Sequence, residues 1–176
     1  MHLLIVNDSI SLHQISKEDA EDIFNAIDSQ RDYLRKWLPF VETTNTIKDT
    51  LAFINDCIAK NEIVFVIRYK HAFAGLIGYK DADNQNKKIE IGYWLSENFQ
   101  HRGLITSSLK KLIPFAFEHL KINRIQIKCA VNNLASKRIP QTNGFQFEGI
   151  ERDGELLSGG HFTDLEVYSL LRKDVL

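Results

Sequence analysis

The sequence predicts a mixed α/β fold in one domain, residues 1–176, built on a central sheet that is mostly antiparallel with one parallel pair of strands and flanked by about four helices. Three observations carry this expectation. Apolar residues alternate with period two in several short runs and recur at helical spacing in others, with no repeat, linker or low-complexity stretch between them. Two of the short runs, residues 63–69 and 72–80, are separated only by Lys70-His71, as in a β-hairpin. Finally, a strand-like run over 89–95 turns through Gly103 into a helix-like run, and a further strand over 124–131 follows, the order of a crossover that joins parallel strands.

Taken in order, residues 10–15 alternate as a strand. Ser16 with Asp19 is a helix-capping pattern ahead of Ala20, Ile23, Phe24 and Ile27, and Thr46 with Asp49 opens a second helix through Leu51, Phe53, Ile54 and Ile58. Between these helices, residues 33–40 are unusually aromatic. After the hairpin, a polar turn over 81–88 precedes strand 89–95. The third helix is expected over 103–119, with Leu109, Leu112, Ile113, Ala116, Phe117 and Leu120 on its apolar face. Pro114 should bend or disturb it, because proline lacks a backbone donor and crowds the preceding turn. A fourth helix is expected over 133–142. Residues 144–151 and 162–171 then close the chain as a hairpin around Asp153-Gly154 and Gly159-Gly160.

A chain of 176 residues is long enough to bury a full core without a disulfide or metal. Its 22 Lys plus Arg against 23 Asp plus Glu leave almost no net charge, which argues against a general nucleic-acid or anionic-membrane surface. The first eight residues have too short an apolar run and no basic flank for a signal peptide, and no later stretch approaches transmembrane length, so a cytoplasmic location is expected. Cys57 and Cys129 belong to no Cys/His cluster and read as small core residues, and the six histidines form no ligand spacing, so no metal site is expected.

The chemistry concentrates at Gln100-His101-Arg102-Gly103-Leu104-Ile105-Thr106. A strand that turns through glycine into a helix leaves several backbone N–H groups aimed at one spot, where the helix dipole also favours negative charge. Gly103 lets a phosphate approach the backbone, and His101 and Arg102 add polar or positive side chains. Such a corner is as often a simple tight turn. A second motif, Asn133-Leu134-Ala135-Ser136 followed by Ile139 and Gly144-Phe145, decides between the two readings.

Together the two segments resemble the GNAT superfamily of acetyl-CoA-dependent N-acetyltransferases, and within it the ribosomal-protein N-terminal (serine/alanine) acetyltransferase branch. Leu34 to Pro39, Ile91 to Leu95 and Asp164 to Leu171 extend the likeness over nearly the whole chain. Ile105 departs from it, since the family's loop usually has a second Gly or Ala there.

The resemblance implies acetyl-CoA as donor, with its diphosphate on the amides from Arg102 to Thr106 and its pantetheine arm along the free edge of strand 89–95. It places oxyanion donors among the backbone amides near Trp94 and Leu95. Asn133 corresponds to a cofactor-arm ligand, although a plain helix cap explains it too. Ser136 is the implied hydrogen-bond donor to the departing thiolate, and Glu155 the implied base, with Glu90, Glu148 and Glu151 as competitors. Tyr93 reads equally as core. Trp37, Leu38 and Pro39, with Phe40, form either an acceptor wall or a helix–helix contact.

An α-amine, with a pKa of about 7.7–8.0, needs only a modest base, unlike a lysine amine at about 10.4. The expected reaction is direct attack of an amine on the thioester in a ternary complex, on the N-terminus of a ribosomal protein or similar peptide. Alternatives are a small amine (a polyamine, an aminoglycoside or an amino-acid-like compound) and a non-catalytic acyl-CoA sensor. A nucleotide domain is disfavoured, because Gly103 lacks the Lys-Ser/Thr ending of a P-loop. A homodimer is compatible with the branch, but no residue pattern speaks for it.

Overall fold

The computed structural model describes residues 2–175. Eight strands form one sheet: β1 (Leu3–Asn7), β2 (Ile10–Gln14), β3 (Ile63–Tyr69), β4 (Ala72–Asp83), β5 (Lys88–Leu95), β6 (Arg124–Ala130), β7 (Gln146–Leu156) and β8 (Phe162–Leu171). Their spatial order is β1-β2-β3-β4-β5-β6-β8-β7, and only β5 and β6 run parallel. Four longer helices, α1 (Ala20–Asp28), α3 (Ile47–Ala59), α4 (Leu104–Pro114) and α5 (Leu134–Thr142), are joined by two single turns, α2 (Arg31–Leu34) and α6 (Arg172–Val175).

The capping residues act as expected, Ser16 at a 3-10 turn (Lys17–Asp19) that runs into α1 and Thr46 at α3 itself. The Ser16 N–H donates to Asp19 Oδ2 at 2.9 Å and the Thr46 N–H to Asp49 Oδ2 at 2.8 Å, satisfying donors that no helical carbonyl reaches. The hairpin between β3 and β4 turns on Lys70 and His71, both at positive φ (48° and 72°), which matches the twist of the paired strands.

The sheet is covered on both faces, so β3 reads as a continuous apolar run rather than a strict alternation. Phe65 and Ile67 pack with Leu104, Leu109 and Leu112 of α4. Val64 and Val66 pack on the opposite side with Ile23 and Ile27 of α1 and Ile54 of α3. These two cores fix which face each β5 residue meets. Ile89, Ile91, Tyr93 and Leu95 belong to the α4 side, and Trp94 to the α1 side.

The feature that positions the site is where β5 and β6 part. They pair only from Lys88↔Arg124 to Glu90↔Gln126. Beyond that, β5 stays bonded to β4 as far as Leu95, while β6 stays bonded to β8 as far as Ala130. The sheet therefore opens into a wedge, and residues 91–95 have a free edge facing it.

Several boundaries differ from the sequence expectation. β1 was not anticipated; its Leu3 and Ile5 are more than half exposed, so it is an edge strand with little burial signal. β4 runs on to Asp83, which shortens the polar turn to residues 84–87. α4 ends at Pro114 and continues as a π-helical turn over Phe115–His119. The Tyr79 hydroxyl donates to the Leu112 carbonyl at 2.6 Å beside this irregularity. Asp153-Gly154 is not a hairpin turn but a bulge inside β7, with Asp153 at φ 50°, and Gly159 and Gly160 make the turn instead.

Candidate active site

The mouth of α4 presents an unfilled set of donors. Gly103 caps the helix at φ 68°, a left-handed conformation glycine adopts freely, and a Cβ built there would meet nothing within 4 Å. Ser107 is the first residue whose N–H finds a helical carbonyl, that of Gly103 at 2.9 Å. Among the described residues, the N–H groups from Arg102 to Thr106 have no protein acceptor. Ile105 is 5 % exposed and packs into the core beneath α4, so its bulk does not crowd this mouth. The side chains around it behave less simply. The Arg102 guanidinium lies over the rings of Tyr69 and Phe99, at 5.5 and 5.7 Å, and donates to the Asn98 carbonyl. Gln100 spends its N–H on the Glu97 carbonyl and its side-chain amide on the Tyr33 hydroxyl. His101 is exposed, at φ 58°.

Across the wedge from β5 stands the first turn of α5. Asn133 caps it, its Oδ1 accepting from the Ser136 N–H at 3.1 Å. The Asn133 side-chain amide is left as a donor on the cleft wall. Ser136 Oγ sits 3.3 Å from Cys129 Sγ and 3.2 Å from the Tyr93 hydroxyl, which also donates to the Ser136 carbonyl at 3.1 Å. Burial holds the Tyr93 hydroxyl well above the ordinary phenol range and also raises the Cys129 thiol, so both stay protonated. Tyr93 is thus more than core: it reaches across from β5 and fixes Ser136. The signal for this was its place on the inner face of an apolar strand, where a buried hydroxyl needs a partner.

A cleft of about 530 Å³ runs from this point to the aromatic segment between α2 and α3. Trp37, Leu38, Pro39 and Phe40 line its far end, Trp94 its floor, and Glu155 its side. Glu155 lies in β7, just past the bulge, rather than in a turn. Its carboxylate has no hydrogen-bond or ion-pair partner among the described residues. Burial raises its pKa, Lys80 and Lys128 oppose this, and Glu90 adds to it. The three competing carboxylates are all engaged. Glu90 pairs with Lys80 at 2.9 Å, Glu151 with Lys128 at 2.6 Å, and Glu148 with Arg124 at 2.5 Å. The Arg124 bond, aided by the Ser169 hydroxyl, draws Glu148 down to about 2. Of the four carboxylates, Glu155 alone is without an ion-pair partner among the described residues. The Lys80, Glu90 and Lys128 ring around it was not legible, because these residues come from three different strands.

The profile described as an acetyltransferase (GNAT) domain matches residues 9–146. The chain belongs to the GNAT acetyltransferase family. This acetyltransferase is 36% identical over 174 residues to "Putative ribosomal N-acetyltransferase YdaF" of Bacillus subtilis (strain 168), an alignment covering 96% of this chain and 94% of the relative. It is 28% identical over 171 residues to the ribosomal-protein-serine acetyltransferase of Escherichia coli (strain K12), covering 93% of each. Among solved structures it is similar to the microcin C7 self immunity acetyltransferase MccE in complex with acetyl-CoA and AMP. That match has a TM-score of 0.88 at 32% identity and covers 94% of each chain.

It is an N-acetyltransferase whose acetyl donor is acetyl-CoA. The geometry suits that substrate: free amides at the α4 mouth match a diphosphate, and the open β5 edge matches the amides of a pantetheine arm. Among the described residues, no cluster of His, Cys, Asp and Glu is arranged to hold a metal, and no helix is long and apolar enough to cross a membrane.

Proposed function

We propose that this acetyltransferase modifies the N-terminal α-amine of a ribosomal protein or similar peptide, in the cytoplasm. The observation that carries the reading is Glu155, a carboxylate unpaired among the described residues and of raised pKa, on the wall of the cleft that joins the aromatic segment to the wedge. A carboxylate base suits an α-amine, already partly neutral at pH 7, better than a lysine amine, which is almost wholly protonated there. The near full-length likeness to proteins named as ribosomal N-acetyltransferases supports the same class.

In this mechanism the amides from Arg102 to Thr106 hold the diphosphate, and the edge of β5 and the Asn133 amide hold the pantetheine arm. Trp37, Leu38 and Pro39 seat the acceptor's first residues, and Glu155 takes a proton from the ammonium. The freed nitrogen attacks the thioester carbonyl carbon, and amides near Trp94 and Leu95 stabilise the oxyanion. As the carbon–sulfur bond breaks, the nitrogen sheds its second proton to water or to the departing sulfur, and Ser136 donates a hydrogen bond to that sulfur, with Tyr93 holding its orientation. A thiolate leaving group, with a pKa near 8.5 by analogy with cysteine, asks for no stronger acid.

A small-amine acceptor is the second reading, supported by the 32% identity to MccE and by a 35% match over 86 residues to the spermine/spermidine N(1)-acetyltransferase of Bacillus subtilis (strain 168). An acceptor panel separates the two. Seryl and alanyl peptides with free N-termini should be acetylated with the highest kcat/KM, and turnover confined to polyamines, aminoglycosides or amino-acid-like amines would overturn the peptide reading.

A further inference from the structure

α2 is a single turn with little burial of its own; only Leu34 is buried, with Tyr33 packed partly against the same core. Its polar side chains instead grip two places at once. On one side, Gln30 Oε1, just before the turn, accepts from the Glu97 N–H at 2.7 Å, and the Tyr33 hydroxyl meets the Gln100 side-chain amide. Both contacts fall on the short segment that leads into the α4 mouth. On the other side, Arg31 donates to the carbonyls of Val41 (2.9 Å) and Thr44 (2.6 Å), while Asp28 steadies its Nε at 2.8 Å. Those carbonyls close the aromatic segment, and Trp37 and Leu38 hang from α2 itself through bonds to the Leu34 carbonyl.

We infer that α2 is a strut that joins the diphosphate loop to the acceptor wall, with Gln30 and Tyr33 as positioning residues for the acceptor site. This rests on the reading given above, in which the α4 mouth holds the diphosphate and Trp37 to Pro39 seat the acceptor. Ordering the loop over 97–103 around a diphosphate fixes the partners of Gln30 and Tyr33. These in turn fix α2, and α2 fixes Trp37. Donor binding thereby prepares the acceptor wall before any acceptor arrives, and the two substrates help each other bind by the same factor. Gln30 and Tyr33 do not line the cleft.

The chain has two tryptophans, Trp37 and Trp94, so 5-fluorotryptophan labelling gives two ¹⁹F resonances, assigned with Trp37→Phe. The probe is 3′-phospho-ADP, which carries the diphosphate of CoA but no arm to reach the acceptor wall. Saturating probe should move the Trp37 resonance in the wild type. In Tyr33→Phe/Gln30→Ala that response should fall by more than half, while calorimetric affinity for CoA stays within about threefold. Losing these bonds should raise the peptide acceptor's KM about fivefold with little change in kcat. Gln30→Glu, which keeps an acceptor for the Glu97 N–H, should restore most of the response in the Tyr33 background. Should the probe bind the wild type and leave Trp37 unmoved, or the double variant keep the full response, the strut is refuted. If neither the probe nor CoA binds the folded wild type at all, the diphosphate reading falls, and the strut with it.

Discussion

Replacing Glu155 with glutamine keeps the shape of the side chain and removes the carboxylate that the cleft leaves unpaired. The size of the loss follows from the acceptor's own acidity. An α-amine of pKa about 7.7–8.0 is only about a tenth neutral at pH 7, so a base that takes its proton restores roughly tenfold in reactive population. The carboxylate also balances the ammonium in a half-buried cleft, which brings the expected loss in kcat at pH 7 to about 10–100-fold, at the low end of general-base contributions. Assayed with a seryl peptide and acetyl-CoA, the deficit should shrink by about tenfold towards pH 9, because the amine then deprotonates unaided. The wild-type acid limb should lie above the ordinary glutamate range, since burial raises Glu155 and activity is lost as pH falls through that raised value. A folded variant with kcat within about twofold of wild type at pH 7 and an unchanged pH profile would refute Glu155 as the base.

Lys80→Met removes a positive charge that lowers the Glu155 pKa and frees Glu90 from its partner, so the acid limb of kcat should move to higher pH; an unmoved limb in a pH titration would contradict this. Glu148→Gln breaks the bond to Arg124. With its folded pKa drawn down to about 2, Glu148 contributes stability that is complete above the ordinary glutamate value and is lost as pH falls through about 2. The full shift would be worth about 3 kcal/mol, but the side chain is 40% exposed, which reduces the expected loss to about 1 kcal/mol in urea unfolding at pH 7, vanishing near pH 2. Gly75→Ala puts a Cβ 2.2 Å from the Trp94 carbonyl at a φ of 156°, so β5 must shift; we expect a loss of about 2 kcal/mol in thermal unfolding together with a lower kcat. Wild-type kcat in that variant would remove the Trp94–Leu95 backbone from the oxyanion site.

The elements that could be read in the sequence are those whose signal is local. Capping residues announced α1 and α3, two apolar runs only two residues apart announced the β3–β4 hairpin, and Gly103 announced the corner between β5 and α4. What could not be read depends on tertiary contact. α2 exists because its side chains bridge two loops, and nothing in four residues encodes that. Asp153-Gly154 is turn chemistry that serves a bulge as well as a hairpin, so only the pairing with β8 decides. In the site, Ser136, Asn133 and Glu155 came from motif likeness, and the geometry adds what that likeness lacked. Tyr93 anchors Ser136, the charged ring surrounds Glu155, and the side chains of Gln100 and Arg102 turn away to Tyr33 and to the Tyr69 and Phe99 rings.

The central claim is that main-chain donors at the start of α4 hold the diphosphate of acetyl-CoA. Its most direct test is the amide ¹⁵N–¹H spectrum of the full chain, titrated with CoA to saturation. The largest downfield amide proton shifts should fall on Arg102, Gly103, Leu104, Ile105 and Thr106, as expected for charge-assisted bonds to phosphate oxygens. Saturable binding that leaves these five amides in place and moves others would contradict the account.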